Sequence, residues 1–465
     1  MESEKKKEIE ISAYKGDNLF NENTPFVINL FAPEAEKEED EKRVSADLIC
    51  VIDISGSMEG EKIKLVKESL KILVDMMEEK DRIALVLFDQ KAKLYFNLEY
   101  LTKENKDKLK AQIEKIEASG GTNIASGLQI AVEILKQQKE NQKENEERSS
   151  TVLLLSDGCD NYLNDTQLGE KLKSLTKGAN LSFTLNTFGY GYDHDPKIMN
   201  KLANLRDGSF FLVEDYNKVG EYFVSVLGGC ISMISKNAQL DVKLINGNCK
   251  IVKIFGENNF YSYELNDFLF STKMLQFISG KEYTFVLEIK VDESKIKPGD
   301  ILLDINFNYD DILTKEKKVI NAKYKWELKD LNFAKANEEY IRSQTYDVLE
   351  RAIKLRESDK VKEGQKLLKE MREWLEKNYK GENKAFLEDI KKAEPMFENM
   401  MYDQRGITYA TSQVRQMQSK RIGTYNLYSN SVQMRLQSNY QMNYAISQNK
   451  FNNNNNNNNN NDQNI

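Results

Sequence analysis

Asp53, Ser55 and Ser57 occupy alternate positions in Asp53-Ile54-Ser55-Gly56-Ser57-Met58, so an extended turn would aim their side chains at one point. They offer hard oxygen donors and no soft ones, which suits Mg²⁺ or Mn²⁺ rather than zinc. Taken alone, the pattern reads equally well as an ordinary strand-end turn. Further donors lie downstream. Ser119-Gly120-Gly121-Thr122-Asn123-Ile124 precedes a helical period and offers the Thr122 hydroxyl, and Asp157-Gly158 follows the apolar run Leu153-Leu154-Leu155. Binding loops of a doubly wound sheet gather at the carboxyl ends of its strands, so Asp53 and Asp157 can meet despite their separation in sequence. Two carboxylates and three hydroxyls are then candidate donors, with room left for water or an incoming ligand.

Catalytic readings of the same residues find little support. Ser55 as a nucleophile would need a base, and the chain has one histidine, His194, in another predicted loop. Gly-x-Ser-x-Gly and Walker A patterns are absent. An aspartyl-phosphate enzyme would want an acid two residues after Asp53, where Ser55 stands. Cys159 has no basic neighbour to activate it and reads as a bystander thiol. Asp89 reads as a plain strand-end acid, and His194, between Asp193 and Asp195, as a residue that fixes a loop. The expectation is a protein that is not an enzyme.

The elements that must position these donors follow from hydrophobic periodicity. Residues 46–52 form a near-continuous apolar run, broken only at Asp47, the mark of a strand buried on both faces. Ile63, Val66, Leu70, Leu73 and Met77 recur at helical spacing. Strands are predicted at 82–88, 93–96, 151–155, 181–188 and 210–213, and helices near 109–116, 124–135, 166–175, 196–205 and 219–234. The residues 137–149 read as a polar insert, and Gly228-Gly229 implies a kink or close packing in the last helix. The alternation predicts a doubly wound, mostly parallel α/β domain over 45–235.

Short strands at 240–245, 249–255, 275–278, 283–291, 301–309 and 317–324 then predict a small antiparallel β-sandwich over 236–330. Segment 1–44, with strands near 9–14 and 26–30 and a solvated charge run at 34–43, is expected to join it. Helical stripes on Ile341, Thr345, Val348, Ala352 and Leu355, and on Val361, Leu368, Met371 and Leu375, predict a helical hairpin within 331–398, with a third helix near 386–390. The Gln/Asn-rich tail, 399–465, has too little apolar content to pack and is expected to be disordered or self-associating.

Composition narrows the partners. The 465 residues carry a net charge of −7, which argues against a general nucleic-acid binder. The start, Met1-Glu2-Ser3-Glu4-Lys5, has no apolar core and predicts no secretory leader, and no run is long enough to span a membrane. Four dispersed cysteines predict neither a disulfide framework nor a zinc-ribbon or RING. A cytoplasmic, reducing location is the expectation.

Asp53-x-Ser55-x-Ser57, Thr122 and Asp157-Gly158 together resemble the metal-ion-dependent adhesion site of von Willebrand factor A (vWA) domains, whose fold is Rossmann-like. The resemblance implies that Ser55 and Ser57 bind Mg²⁺ (or Mn²⁺) directly, and that Asp53 and Asp157 bind it directly or accept hydrogen bonds behind those ligands. It implies that Thr122 binds in a high-affinity state and that a Glu or Asp carboxylate of a protein partner supplies the sixth ligand. Phe188-Gly189-Tyr190-Gly191-Tyr192-Asp193-His194-Asp195-Pro196 and Gly208-Ser209-Phe210-Phe211 resemble an intracellular eukaryotic subgroup in which a β-rich and helical module follows the A domain. RING-bearing relatives of that subgroup suggest an alternative role, the substrate-recruiting subunit of a ubiquitin-ligase-type assembly.

Overall fold

A computed structural model describes residues 9–33, 44–141, 147–158, 160–191, 196–213, 216–256, 262–312, 314–327, 333–381 and 385–398. The charge run at 34–43, Cys159, His194 with its two flanking acids, and the tail at 399–465 lie outside them.

The candidate donors sit on a six-stranded sheet. Its centre is β3 (Ser45–Asp53), parallel to β4 (Arg82–Phe88) on one side and to β6 (Arg148–Ser156) on the other. Beyond β6 come β7 (Thr184–Tyr190) and β8 (Phe210–Val213), both parallel. The far edge is β5 (Ala92–Tyr100), antiparallel to β4, so the sheet is mixed rather than wholly parallel.

Side-chain alternation along β3 builds two cores. Ala46, Leu48, Cys50 and Ile52 pack with α1 (Glu61–Met76), α2 (Lys103–Ile113) and α6 (Tyr216–Ile231). Ile49 and Val51 face α3 (Ile124–Asn141), α4 (Asp165–Thr176) and α5 (Pro196–Asn204). A strand with helices on both faces is apolar at nearly every position; β3 is buried from Ala46 to Asp53, and its two acids, Asp47 and Asp53, both have hydrogen-bond partners.

The α/β domain is inserted into a β-sandwich. One sheet holds β1 (Glu10–Lys15), β2 (Thr24–Phe31), β13 (Glu282–Val291) and β10 (Cys249–Ile254), in that order. The other holds β11 (Ser262–Leu265), β12 (Leu269–Ile278), β9 (Met233–Leu244), β14 (Ile301–Asp311) and β15 (Lys317–Lys325). Phe26, Ile28, Leu240, Val242, Leu287 and Ile305 belong to the core between them. The chain leaves after β2, builds the α/β domain, and returns from α6 through Ser232 directly into β9. Gly229 of α6 explains itself here: a Cβ would stand 3.3 Å from Ile278 Cδ1 of β12, so the glycine serves close packing.

Three helices follow, α7 (Phe333–Glu357), α8 (Val361–Asn378) and α9 (Ala385–Glu398). Leu349, Ile353, Leu368, Leu375, Phe386 and Ile390 form part of their shared core. The helix α7 is tied to the sandwich by Glu288, which is buried and accepts hydrogen bonds from Tyr340 Oη (2.8 Å) and Gln344 Nε2 (2.9 Å). Among the described residues no helix is long and apolar enough to cross a membrane.

Several boundaries differ from those predicted by apolar runs. The helix α3 continues to Asn141 and β6 starts at Arg148, both inside the stretch read as a polar insert. The strand β5 runs over nine residues, β12 starts at Leu269, β9 begins where the helix was expected to continue, and β11 was not anticipated. Arg148 gives the physical reason in one case. Its Nε donates to Asp47 Oδ1 (2.7 Å) and its Nη2 to the carbonyls of Ala46 and Lys80 (3.2 and 2.9 Å). A paired charge can be buried, and hydropathy does not register pairing. Arg82 completes the cluster, with Nε and Nη2 at 2.8 and 2.6 Å from the two Asp47 oxygens.

Removing one member of such a cluster strands buried charge, which typically destabilises a protein by about 3–5 kcal/mol. Asp47→Ala is therefore expected to lower stability by several kcal/mol, read as a shifted urea midpoint in circular dichroism. A shift of the size seen for an exposed acid such as Glu61→Ala would contradict this role for Asp47.

Candidate metal centre

Three loops at one edge of the sheet carry the five candidate donors. The first leaves β3. Asp53, fully buried, is its last residue, and the Ile54 N–H still reaches Phe88 O of β4 at 2.9 Å. The chain then turns through a short 3-10 segment, Gly56–Met58, with Met58 buried in the core as its anchor. Asp53 Oδ1 accepts from the Ser55 N–H at 2.9 Å, and Ser55 Oγ lies 3.1 Å from Ser57 Oγ. The two hydroxyls are thus already side by side.

Backbone hydrogen bonds bring the second loop alongside. Ser119 N–H donates to Ile54 O (2.6 Å), and Gly56 N–H donates to Gly120 O (2.9 Å). Gly120 has φ of +84°, a conformation that L side chains rarely adopt, so the glycine is required for this approach. Thr122, 3% exposed, follows two residues later.

The third loop leaves β6 and locks the second. Asn161 Oδ1 accepts from the Thr122 N–H at 2.7 Å while the Asn161 N–H donates to Thr122 O at 3.0 Å. Asp160 Oδ2 accepts from the Ile124 N–H (2.7 Å), satisfying a donor at the start of α3, and Asp160 Oδ1 accepts from the Tyr162 and Leu163 N–H groups. Asp157, 1% exposed, lies at the root of this loop and accepts from Lys62 Nζ at 3.2 Å. Ser156 Oγ donates to Asp53 Oδ2 at 2.6 Å and accepts from the Gly158 N–H, joining β6 to β3 at the site.

Ser156, Asp160, Asn161 and Lys62 were not anticipated as parts of this arrangement. The run Asp157-Gly158-Cys159-Asp160-Asn161 carries some signal, because polar residues cluster after a buried strand. Nothing in it says which loop they would clasp. Asp89 behaves as a strand-end acid: its Oδ1 accepts from the Lys91 N–H of its own turn, and its carbonyl from the Asn123 N–H.

Burial pushes the Asp53 carboxyl up to about 6, with a further push from Asp157, against the lowering effect of hydrogen bonds from Ser156 and Ser55. The carboxylate is held in place but short of compensating positive charge. A cation would supply it. The hydroxyl geometry fits one kind in particular. Oxygens on adjacent corners of a Mg²⁺ octahedron, each at about 2.0–2.1 Å from the ion, are roughly 3 Å apart, close to the 3.1 Å between Ser55 Oγ and Ser57 Oγ. Among the described residues no three His, Cys, Asp or Glu converge, so a cation here would depend on hydroxyls as well as acids.

Comparison with known proteins agrees with the fold. Residues 47–224 match the von Willebrand factor type A domain profile. A protein of uncharacterised function from Synechocystis sp. is 25% identical over 286 residues, 60% of this chain and 65% of that protein. Inter-alpha-trypsin inhibitor heavy chain H2 of Sus scrofa is 32% identical over 187 residues, 40% of this chain and 19% of that one. The match thus spans less than two thirds of the first relative and about a fifth of the second. A von Willebrand factor type A structure from Catenulispora acidiphila superposes with TM-score 0.62 at 13% identity, covering 88% of this chain and 96% of that one. The ArnB paralog VWA2 from Sulfolobus acidocaldarius gives 0.54 at 15% identity, covering 88% and 99%. Both likenesses concern the fold alone, and both extend beyond the α/β domain. The strand order, the two-faced core and the profile match lead to one conclusion: residues 47–224 form an α/β domain with the fold of von Willebrand factor type A domains.

Proposed function

We propose that the chain is a non-enzymatic, divalent-cation-dependent protein-binding module, and that Mg²⁺ or Mn²⁺ is held by Ser55, Ser57, Thr122, Asp53 and Asp157. The observation that supports the reading is the Ser55–Ser57 hydroxyl pair, whose 3.1 Å separation is close to that of adjacent octahedral ligands, beside two buried carboxylates. Bound there, the ion would supply a Lewis-acidic position open to an anionic oxygen.

The protein's part is positioning. Asp53 receives the Ser55 N–H on one oxygen and the Ser156 hydroxyl on the other, which fixes the first loop against β6. Each carboxylate oxygen retains a lone pair for a metal or its water. Asn161 and Asp160 hold the Thr122 segment against the third loop. Neutral hydroxyls supply much of the shell, so only the two acids offset the charge of the ion. A partner's Glu or Asp carboxylate is a fitting sixth ligand, captured with no bond broken. We place the chain in a reducing compartment on similar grounds. Cys50, Cys230 and Cys249 are free and buried, and burial pushes the Cys230 and Cys249 thiols up to about 11, away from the reactive thiolate.

Calorimetric titration with Mg²⁺ and with Mn²⁺ tests the metal claim. Wild-type protein should bind one ion, and Asp53→Ala should weaken binding by roughly 100-fold or more, since a ligand and the loop anchor are lost together. Equal affinities for the two proteins would sink the reading. Pull-downs performed with Mg²⁺ and with EDTA then test the partner claim, which requires a captured protein that EDTA releases.

A second variant separates positioning from ligation. Asp160→Ala removes no proposed donor but frees the Ile124 N–H and the Thr122 segment. Outer partners of a metal shell commonly contribute about 10–100-fold in affinity, so the variant should bind Mn²⁺ about tenfold more weakly while still folding. Unchanged affinity would mean that the Thr122 loop needs no such support.

A further inference from the structure

Lys62 stands where helix physics disfavours it. It is the second residue of α1, in a first turn whose exposed N–H groups present partial positive charge. The side chain is nonetheless 19% exposed, turned inward, with Nζ 3.2 Å from Asp157 Oδ2. Asp157 is itself 1% exposed. The segment that supplies the hydroxyls and Asp53 therefore also supplies, five residues after Ser57, an ammonium group to the second carboxylate.

We propose that Lys62 tunes the charge of the site, competing with the divalent cation for Asp157 and so trading metal affinity for anion affinity. The inference rests on the metal-binding reading above. Asp53 and Asp157 together would neutralise a divalent ion, leaving little attraction for a partner's carboxylate. With its ammonium on Asp157, Lys62 neutralises one of those acids, and the bound ion keeps net positive character towards the partner. The same ammonium repels the ion and engages an oxygen the ion could use, so the metal is held less tightly than the two acids alone would hold it. Like charges near one site oppose each other most strongly where solvent is largely excluded, and Asp157 is such a place.

Two substitutions test this, Lys62→Met, which keeps the aliphatic stem without charge, and Lys62→Arg, which keeps the charge. Mn²⁺ affinity is measured by calorimetry on the full chain. Acetate is then titrated into the Mn²⁺-loaded protein, and displacement of exchangeable water is followed by proton relaxation. Lys62→Met should bind Mn²⁺ about tenfold more tightly and acetate severalfold more weakly, whereas Lys62→Arg should stay near wild type in both. Opposite movement of the two affinities is a signature that loosening α1 would not produce. Unchanged or weaker Mn²⁺ binding in Lys62→Met overturns the proposal, as does unchanged or stronger acetate binding. If wild type exceeds Asp53→Ala but Lys62→Met equals wild type, only the role of Lys62 fails. If neither wild type nor Lys62→Met binds Mn²⁺, both readings fall.

Discussion

A carboxylate with no solvent exposure, placed at the end of the central strand, is the constraint on which the site depends. Asp53 resists ionisation because burial removes its hydration, and the fold answers with a backbone N–H on one oxygen and a hydroxyl on the other. Those two bonds pin the first loop to β6. From there the Gly56–Gly120 and Thr122–Asn161 bonds draw in the remaining loops, so the donors are held by backbone and side-chain hydrogen bonds together. Preorganisation of this kind lowers the ordering entropy that a ligand must otherwise overcome on binding.

The same use of buried charge recurs at the junctions of the molecule. Asp47 gathers Arg82 and Arg148 at the opposite end of β3. Glu288 gathers Tyr340 and Gln344 where α7 meets the sandwich. Asp207 Oδ2 accepts from the Leu275 N–H where the α/β domain meets β12. Each is an acid taken out of water and hydrogen-bonded across a junction, an arrangement that favours one geometry over its neighbours. Apolar packing holds the layers together, while these acids set how the layers meet.

The insertion of the α/β domain between β2 and β9 follows from pairing rules. The edge strand β1 and its partner β2 are antiparallel, and β2 continues into β13 with Phe31 opposite Glu282 and Thr24 opposite Ile289. Such strands gain little from a parallel sheet whose faces are already covered by helices. They gain a full ladder and a shared core from the sandwich, which contains Phe26, Ile28 and Leu30 beside Leu287 and Ile289. Distance along the chain is no obstacle, because the closure entropy of a long insertion grows only slowly with its length.

Much of this was legible in the amino-acid order. The apolar run Leu48–Ile52 into Asp53 determined a strand buried on both faces, the helical spacing from Ile63 to Met77 determined its first covering helix, and oxygen donors at strand ends marked the candidate site, because periodicity and side-chain chemistry are local properties. The half-exposed strands β5 and β11, which pair with neighbouring strands, offered no continuous apolar run to read, and Arg148 in a strand depends on a partner elsewhere in the chain. So does the site's supporting structure. Ser156, Asp160, Asn161 and Lys62 are ordinary polar residues in sequence and acquire roles only through what they touch. The residue types at 53, 55 and 57 decided which chemistry is available there, and tertiary structure alone decided that two hydroxyls stand 3.1 Å apart beside a buried acid, because only folding brings β3, β6 and their loops to one edge.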